Sequence, residues 1–370
     1  MIDKNNLQQL VKANLEELER ARLQQEEQFA VWRKQYGWSV GGGSLLLFLG
    51  GLGGLFAEEG KVGFMIVALI LVIVLSIIAI ALYYNKTKPL RQELKNRVKK
   101  EVYKKAIAQW YPHFTYHPQQ FLPESTYKEA ALFGSHDIYK GDDFFEGSLS
   151  NGQKVTFSEL EVQSESTDAD NSTSVSTVFK GLFFVVELAT TIEGTVKILP
   201  DVAERGMGKL GVFFQKKLGK LGHGKSQLVY FEEYPVFEKE FVVYSSKESL
   251  ARQLVSPQLV ELLQKIRTKT KGIALSFAGN QLYLAASSKR EFLEVNIKQD
   301  LTASPFFQQL LEDLHYSLEL IQCLEQLSLL EIETKGSRQP IQPLQKIPPT
   351  PQKSSLSYKK SNSKDNPFLL

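Results

Sequence analysis

Two apolar runs dominate the hydropathy pattern of the chain. The first extends from Trp38 to Phe56 and the second from Val62 to Tyr84, and only residues 57–61 separate them. A helix rises about 1.5 Å per residue and the hydrocarbon core of a bilayer is about 30 Å thick, so about 20 apolar residues can cross it. The second run contains no charged residue. The pattern therefore predicts a transmembrane helical hairpin at residues 37–85, with spans at 38–56 and 62–84.

The first run is rich in glycine, which is a poor helix former in water. In lipid the backbone must satisfy its own hydrogen bonds, so a helix remains the spanning structure. Gly50 and Gly54 have the Gly-xxx-Gly spacing that lets a second helix approach closely. We expect this second helix to be the other span of the hairpin, with dimerisation of two copies as the alternative.

Basic residues around the two runs predict their orientation. Arg33 and Lys34 precede the first run, and residues 86–105 contain nine lysines and arginines against two glutamates. Positively charged residues remain on the cytoplasmic side of a membrane. We therefore expect a multi-pass membrane protein with both termini in the cytoplasm. The first apolar run begins too late for a cleaved signal peptide.

Outside the apolar runs, the N-terminal residues 1–36 predict an amphipathic helix. Its apolar positions recur at steps of three and four residues: Leu7, Val11, Leu15, Leu18, Phe29 and Trp32. This stripe is typical of a short coiled coil. Its expected partner is the basic juxtamembrane helix predicted at residues 86–110, with a second copy of the chain as the alternative.

Residues 111–333 have the size of one soluble domain and predict an α+β fold on a mainly antiparallel sheet with flanking helices. Two alternating segments around Asn151-Gly152 indicate a β-hairpin. The polar tract Ser164–Thr177 is expected to be a loop. Further predicted strands are 178–188, 195–199, 227–231, 241–244, 273–277, 281–285 and 292–295. Predicted helices are 247–255, 257–268 and 305–330.

The composition changes again at the end of the chain. Residues 334–370 are rich in proline, lysine and serine and poor in large apolar residues. Such a segment buries too little surface to fold, so we expect a disordered tail.

The segment Thr177-Val-Phe-Lys-Gly-Leu-Phe-Phe184 resembles an uncharacterised bacterial membrane family, the domain of unknown function number 3137. Its surroundings are similar to that family as well, notably Ile198-Leu-Pro-Asp201 and Phe237–Ser245. The similarity extends over roughly residues 85 to 330 and the hairpin. It implies a membrane-anchored cytoplasmic domain, without an established activity or catalytic residues.

The sequence contains one nucleotide-binding motif, Gly219-Lys-Leu-Gly-His-Gly-Lys-Ser226. Its spacing matches the phosphate loop, in which backbone N–H groups surround the phosphates, Lys225 would contact them, and the hydroxyl of Ser226 would bind Mg²⁺. Gly219 and Gly224 complete the motif. Such a loop must connect a buried strand to a helix, whereas the polar residues before it and the strand-like residues after it predict neither. A nucleotide-binding enzyme is therefore the alternative hypothesis.

A wider view of this region favours contact with lipid. Six basic residues occur there without an acid among them: Arg205, Lys209, Lys216, Lys217, Lys220 and Lys225. Apolar residues recur between them at helical steps, as in helices that lie in the membrane interface. We expect these six residues to contact anionic lipid, with a helix packed on the domain as the alternative.

Metal and acid–base sites are not indicated. His113 and His117 have helical spacing, but Pro112 breaks the helix that would align them, and zinc normally needs three or four ligands. The neighbours Asp142 and Asp143 would point to opposite faces of a strand, as would Glu232-Glu233, which disfavours paired carboxylates. Cys323, the single cysteine, lies in an apolar segment and is interpreted as a core residue.

Together these features predict a membrane-anchored interaction or scaffolding domain rather than an enzyme. The expected partners are the lipid bilayer, an unidentified protein and a second copy of the chain. No cofactor, metal or nucleic acid is expected. The net charge of +3 is small, and its basic excess lies beside the membrane, where anionic lipid is the plainer partner.

Overall fold

Two long helices open the structure, a computed structural model that describes residues 4–54, 61–167, 170–201, 226–268, 270, 272–288 and 291–328. Helix α1 spans Lys4–Gly54 and α2 spans Lys61–Lys99. They lie antiparallel. Gln25 Nε2 donates to the Leu90 carbonyl at 3.0 Å, and the rings of Tyr36 and Tyr83 have their centroids 6.3 Å apart. The intramolecular pairing that the apolar stripe of α1 predicted is therefore present.

Helix α2 exposes apolar side chains over most of its first half. The helical stretch Leu69–Ala108 is the one among the described residues that is long and apolar enough to cross a membrane, with a mean hydropathy of 2.2 in its most apolar part and none of that part buried. Length and composition therefore support one membrane-spanning helix. The predicted two-span hairpin is not confirmed. The predicted helix at 86–110 is instead the continuation of α2.

The continuation changes its geometry inside the domain. A π-helical turn, Lys100–Lys104, follows α2 directly, and α3, Lys105–Ala108, ends the stretch. The side chains of Val102 and Tyr103, in the π-helical turn, are buried. The extra residue in a π turn shifts the helix face, which brings both of these side chains onto the domain.

A seven-stranded sheet forms the centre of the described domain. Its strands are β1 (Thr115–His117), β2 (Ile138–Ser148), β3 (Lys154–Thr167), β4 (Thr173–Pro200), β5 (Gln227–Val229), β6 (Phe241–Ser245) and β7 (Ile273–Ser287). Their order is β1-β2-β3-β4-β6-β5, and β7 pairs with β4. Every pairing is antiparallel. Flanking helices are α4 (Glu124–Ala130), α5 (Pro235–Glu240), α6 (Glu248–Leu254), α7 (Pro257–Arg267) and α8 (Ser304–Ser328). The predicted α+β class with a mainly antiparallel sheet is confirmed.

The hairpin at Asn151-Gly152 joins β2 to β3 as predicted, with Ser148 opposite Lys154. The prediction of a loop at Ser164–Thr177 was wrong over most of that segment. Strands β3 and β4 continue there as a ladder, with Ser164 opposite Ser176. The hydroxyl groups of these two serines lie 2.8 Å apart. Cross-strand serine pairs of this kind stabilise a ladder through hydrogen bonds between side chains.

Three other strand predictions need correction. Residues 178–188 and 195–199 belong to one strand, β4, and residues 273–277 and 281–285 belong to β7. The two long strands bend together, with shifts in register between Glu187 and Thr195. Residues 292–295 form no strand. Sequence periodicity identified the apolar segments, but a bulge interrupts the alternation and makes one strand look like two.

Apolar side chains fill both faces of the sheet. On one face they pack with α1, α2 and α8, and this larger cluster includes Leu7, Val98 and Leu314. On the other face, a smaller cluster includes Tyr127 of α4 and Phe183 of β4. The first helix and the C-terminal part of the second are thus part of the domain core.

Candidate functional site at the junction of helix and sheet

A buried lysine lies where α2 enters the domain. The side chain of Lys99, at the end of α2, is almost fully buried. Its ammonium Nζ lies 2.9 Å from Asp142 Oδ2 and 2.7 Å from Asp143 Oδ2. One cation is therefore shared by two consecutive carboxylates of β2.

A β-bulge makes this arrangement possible. The register of β2 against β3 shifts between Asp142 and Phe145, and Asp143 has φ +55°. On a regular strand the two carboxylates would point to opposite faces, as the sequence suggested. That expectation was wrong for Asp142-Asp143, because the left-handed residue turns both side chains towards Lys99. Aspartate tolerates this conformation better than most residues.

Two tyrosines enclose the same carboxylate. The hydroxyl of Tyr116, on β1, donates to Asp143 Oδ1. Tyr103, in the π-helical turn, packs edge-on against Tyr116 with ring centroids 6.0 Å apart. The Tyr103 hydroxyl is buried and has no hydrogen-bond partner among the described residues. Burial raises the pKa of both tyrosines, and the Asp143 carboxylate raises it further, so both hydroxyls remain protonated.

Glu159 adds a third carboxylate from the neighbouring strand β3. Its side chain is buried, and Oε1 accepts a hydrogen bond from the backbone N–H of Phe292 at 2.8 Å. Burial raises the pKa of Glu159 to about 9, against the smaller effect of that hydrogen bond. Burial also raises the pKa of Asp143 to about 7, although Lys99 and Tyr116 act in the opposite direction. Desolvation outweighs pairing at both sites.

The three acids Asp142, Asp143 and Glu159 lie close enough to share a cation, with oxygens within 4.8 Å of one another. Lys99 already supplies that cation. Its burial would lower the pKa of the ammonium, but Asp143 and Asp142 outweigh this and raise it. A divalent metal bound to these carboxylates would have to displace the Lys99 ammonium or lie beside it against charge repulsion. We therefore interpret the cluster as an internal ion pair that fastens α2 to the sheet.

A second feature is a groove of about 390 Å³ between the N-terminal end of α1 and α8. Its lining combines polar and apolar side chains: Leu7, Gln8, Gln308, Leu311, Glu312, His315, Tyr316 and Glu319. His315 Nδ1 lies 3.2 Å from Glu319 Oε2. The groove therefore presents carboxylates beside an apolar floor, which suits a peptide segment with basic and apolar residues.

Most of the sites predicted from sequence lie outside the described residues. These are the lipid-contact candidates from Arg205 to Lys225, together with Gly219, Gly224 and Lys225 of the phosphate-loop motif. Ser226 is described, and strand β5 follows it immediately. A phosphate loop requires a helix at that position, so the described flank does not have the context of the motif.

The other residues considered from sequence are distributed over the domain. His117 lies in β1, and its Nε2 is 3.6 Å from Glu146 Oε1. Glu233 is partnered by Arg252 at 3.7 Å. Cys323 is buried in α8, in agreement with its interpretation as a core residue. The cluster around Lys99 is indicated in the sequence by a single feature, a lysine next to apolar residues in a basic helix. That feature does not reveal the distant carboxylates that Lys99 contacts.

Residues 177–326 match the model of a family described as protein of unknown function (DUF3137). This confirms the resemblance predicted from the Val-Phe-Lys-Gly-Leu-Phe segment. The match extends from β4 into α8, so it does not include residues 85–176 or the hairpin, over which the resemblance was also expected. The curated proteins contain no match to the chain. The crystal structure of the mycobacterial trehalose monomycolate transport factor A, TtfA, is similar over 62% of this chain and 93% of that chain, at 10% identity and a TM-score of 0.32. A similarity at that score supports no conclusion on fold or function.

Proposed function

We propose that this chain is a membrane-anchored interaction or scaffolding protein of the bacterial inner membrane. In this proposal the spans 38–56 and 62–84 form a hairpin, and both termini lie in the cytoplasm. One observation carries it: α2 continues without interruption from an exposed apolar surface to the buried ion pair of Lys99. The same helix is thus unsuited to water at one end and part of the domain core at the other.

The exposed apolar surface supports anchoring. Side chains such as Leu69, Ile77 and Ile80 expose more than half of their surface, at 62%, 60% and 68%. Burying apolar area stabilises by about 25 cal/mol per Å², so a helix with this surface is stable in lipid rather than in water. From Tyr84 to Lys95, whose ammonium lies 2.7 Å from Glu294 of the domain, the helix rises about 16 Å, which is the distance over which it would hold the domain from the membrane.

A rigid connection favours a scaffolding role. A hairpin that enters the domain core confines the domain to the membrane plane and raises its concentration relative to membrane partners. The groove between α1 and α8 lies at the end of α1 that is farthest from the apolar segment, and it offers a surface for a protein partner or a second copy. The residues Arg205–Lys225 add a proposed contact with anionic lipid.

Anchoring and topology are tested with the full chain. We expect it to remain in membranes after alkaline carbonate extraction. In a Cys323→Ser background, Glu58→Cys should react with an impermeant maleimide from outside the cell, whereas Asn14→Cys should react only after permeabilisation. A chain released by carbonate, or labelling with the reverse sidedness, would contradict the proposal.

The interaction role is tested at the groove. A photo-crosslinking residue at Gln308, which lines the groove, should give discrete adducts in cells, and the same residue at the exposed Lys154 should not. The enzyme alternative predicts the opposite set of results: no adducts at Gln308, with ATP binding that Lys225→Ala abolishes. That combination would replace the scaffolding proposal.

A further inference from the structure

Four cations lie at the same height on the helical hairpin, and we call them the interfacial band: Arg33, Lys34, Lys86 and Lys88. Their height follows from the antiparallel contacts. Lys86 Nζ lies 3.9 Å from the centroid of the Trp32 ring, and the Tyr36 ring contacts that of Tyr83. Because residues rise about 1.5 Å each, the band is about one helical turn deep. All four cations are exposed.

The band borders the apolar surface directly. On α2, Leu82 and Ile80 are 52% and 68% exposed, and on α1, Trp38 is 80% exposed. Basic residues follow at once on both helices. This order of exposed apolar residues, then aromatic residues, then cations is typical of the boundary between hydrocarbon and headgroups.

Charge pairing distinguishes the band from the next turns of the same helix. Arg91, Lys95 and Lys99 each have a carboxylate within 3.7 Å. In contrast, no cation of the interfacial band has a carboxylate within 4.0 Å in the part of the chain that the structure describes. Carboxylates therefore neutralise Arg91, Lys95 and Lys99, whereas the interfacial band, next to the apolar surface, has no internal counterion among the described residues.

Trp32 provides the specific element. Its ring holds the Lys86 ammonium by a cation–π contact, which orders the side chain without cancelling its charge. A tryptophan also prefers the headgroup level of a bilayer. An ordered ammonium beside an amphipathic ring suits a phosphate ester, whose oxygens accept the hydrogen bonds and whose glycerol backbone packs on the ring.

We propose that the interfacial band binds the headgroup phosphates of anionic phospholipids, with Lys86 on Trp32 as its most ordered element. This inference rests on the membrane anchoring proposed above and adds the lipid class that the anchor selects. Each cation near an anionic surface contributes about 1 kcal/mol, equivalent to about fivefold in binding, so loss of Lys86 and Lys88 should reduce the preference for anionic lipid by about tenfold or more.

The experiment uses the full chain, reconstituted in bilayers of phosphatidylcholine with brominated lipid as probe. Trp38 and Trp110 are replaced by phenylalanine so that Trp32 reports. Quenching by brominated phosphatidylglycerol relative to brominated phosphatidylcholine measures the lipid preference. We expect a clear preference for phosphatidylglycerol in this parent chain, and about tenfold less in Lys86→Gln/Lys88→Gln. The matched control, Lys100→Gln/Lys104→Gln, removes the same charge from exposed positions farther along the helix and should retain the preference.

The outcomes separate the two proposals. If the parent chain inserts into the bilayer but shows no preference, or if the control loses as much as the band variant, the lipid inference is overturned and anchoring stands. If the chain is washed from the bilayer by carbonate, anchoring itself fails. Loss of the preference in the band variant alone, with insertion unchanged, supports the band as a headgroup site.

Discussion

Lys99 and Asp143 form an ion pair of 2.7 Å between residues that are 44 positions apart in the chain. Both side chains are buried, and the pair joins the long helix α2 to strand β2. Tyr116 donates to the second carboxylate oxygen, so each oxygen of Asp143 accepts a hydrogen bond. This contact fixes where the long helix enters the sheet.

Removal of the lysine should destabilise the domain strongly. Lys99→Met keeps the length of the side chain but leaves two carboxylates without a cation, one of them fully buried. Breaking a buried pair in this way costs about 3–5 kcal/mol. We expect a large decrease in the Tm of the purified full chain, measured by differential scanning fluorimetry.

Two further variants show whether the pair is the cause. Lys100→Met removes a neighbouring exposed lysine and should change Tm little. Lys99→Met/Asp143→Asn removes the charge of both partners and should recover part of the loss, because the Asp143 carboxylate is no longer buried without its cation. Equal losses in Lys99→Met and Lys100→Met would show that the ion pair contributes nothing specific.

The buried Glu159 predicts a pH dependence of stability. Burial raises its pKa from 4.5 in the unfolded chain to about 9 in the fold. The folded state therefore binds more protons than the unfolded state between these values, and its stability falls as the pH rises through that window. Asp143, whose pKa burial raises to about 7, adds to the same slope at lower pH.

Glu159→Gln should flatten this slope. The amide oxygen still accepts the hydrogen bond from Phe292 N–H, while the ionisable group is gone. Between pH 5 and pH 9 we expect the parent to lose several kcal/mol of stability that the variant retains, since the pKa rises from 4.5 to about 9 and each pKa unit corresponds to about 1.36 kcal/mol. Urea unfolding at pH 5, 7 and 9 measures the free energy of unfolding of parent and variant, with Glu161→Gln on the same strand as control. An unchanged or steeper slope in Glu159→Gln would refute the assignment.

The backbone at position 181 explains why the Val-Phe-Lys-Gly-Leu-Phe segment contains a glycine, Gly181. It has φ +144°, and an added Cβ would lie 2.2 Å from the Ala286 carbonyl oxygen on β7. Gly181→Ala should therefore destabilise by about 3 kcal/mol or more, through both backbone strain and a clash with main chain that cannot move aside.

Gly152 provides the comparison for this prediction. It has φ +85° in the hairpin turn, and no atom lies within 4 Å of an added Cβ. Gly152→Ala should therefore cost only the backbone term, about 1 kcal/mol. Urea unfolding of the two variants side by side gives the difference, and equal losses would show that close packing of β4 against β7 is unimportant.

Charges in the apolar segment should prevent anchoring. Ile73→Arg/Ile77→Arg places two cations near the middle of the predicted second span, and each costs about 2.5–3.5 kcal/mol on insertion. We expect the carbonate-resistant fraction in cell membranes to fall sharply, whereas Ile73→Leu/Ile77→Leu should retain it. If the arginine variant remained fully carbonate-resistant, the segment would not be the anchor.

Much of the architecture could be predicted from local order in the chain. The apolar stripe of α1, the long apolar helix, the Asn151-Gly152 hairpin and the α+β class all depend on periodicities and turn preferences that neighbouring residues express. These features appear in the structure because helix and strand geometry places residues on faces at fixed intervals.

The tertiary structure alone decided which residues meet at the junction of α2 with the sheet. No periodicity indicates that Lys99, Asp143 and Glu159 converge, because the bulge at Asp143 reverses the face of one side chain and the contacts span many residues. The same limit applies to β4 and β7, whose bends made each look like two strands. The pattern of residues along the chain determined which segments are apolar enough for lipid or core. Long-range packing determined which buried charges meet, because only the folded backbone brings a cation within about 3 Å of its distant carboxylates.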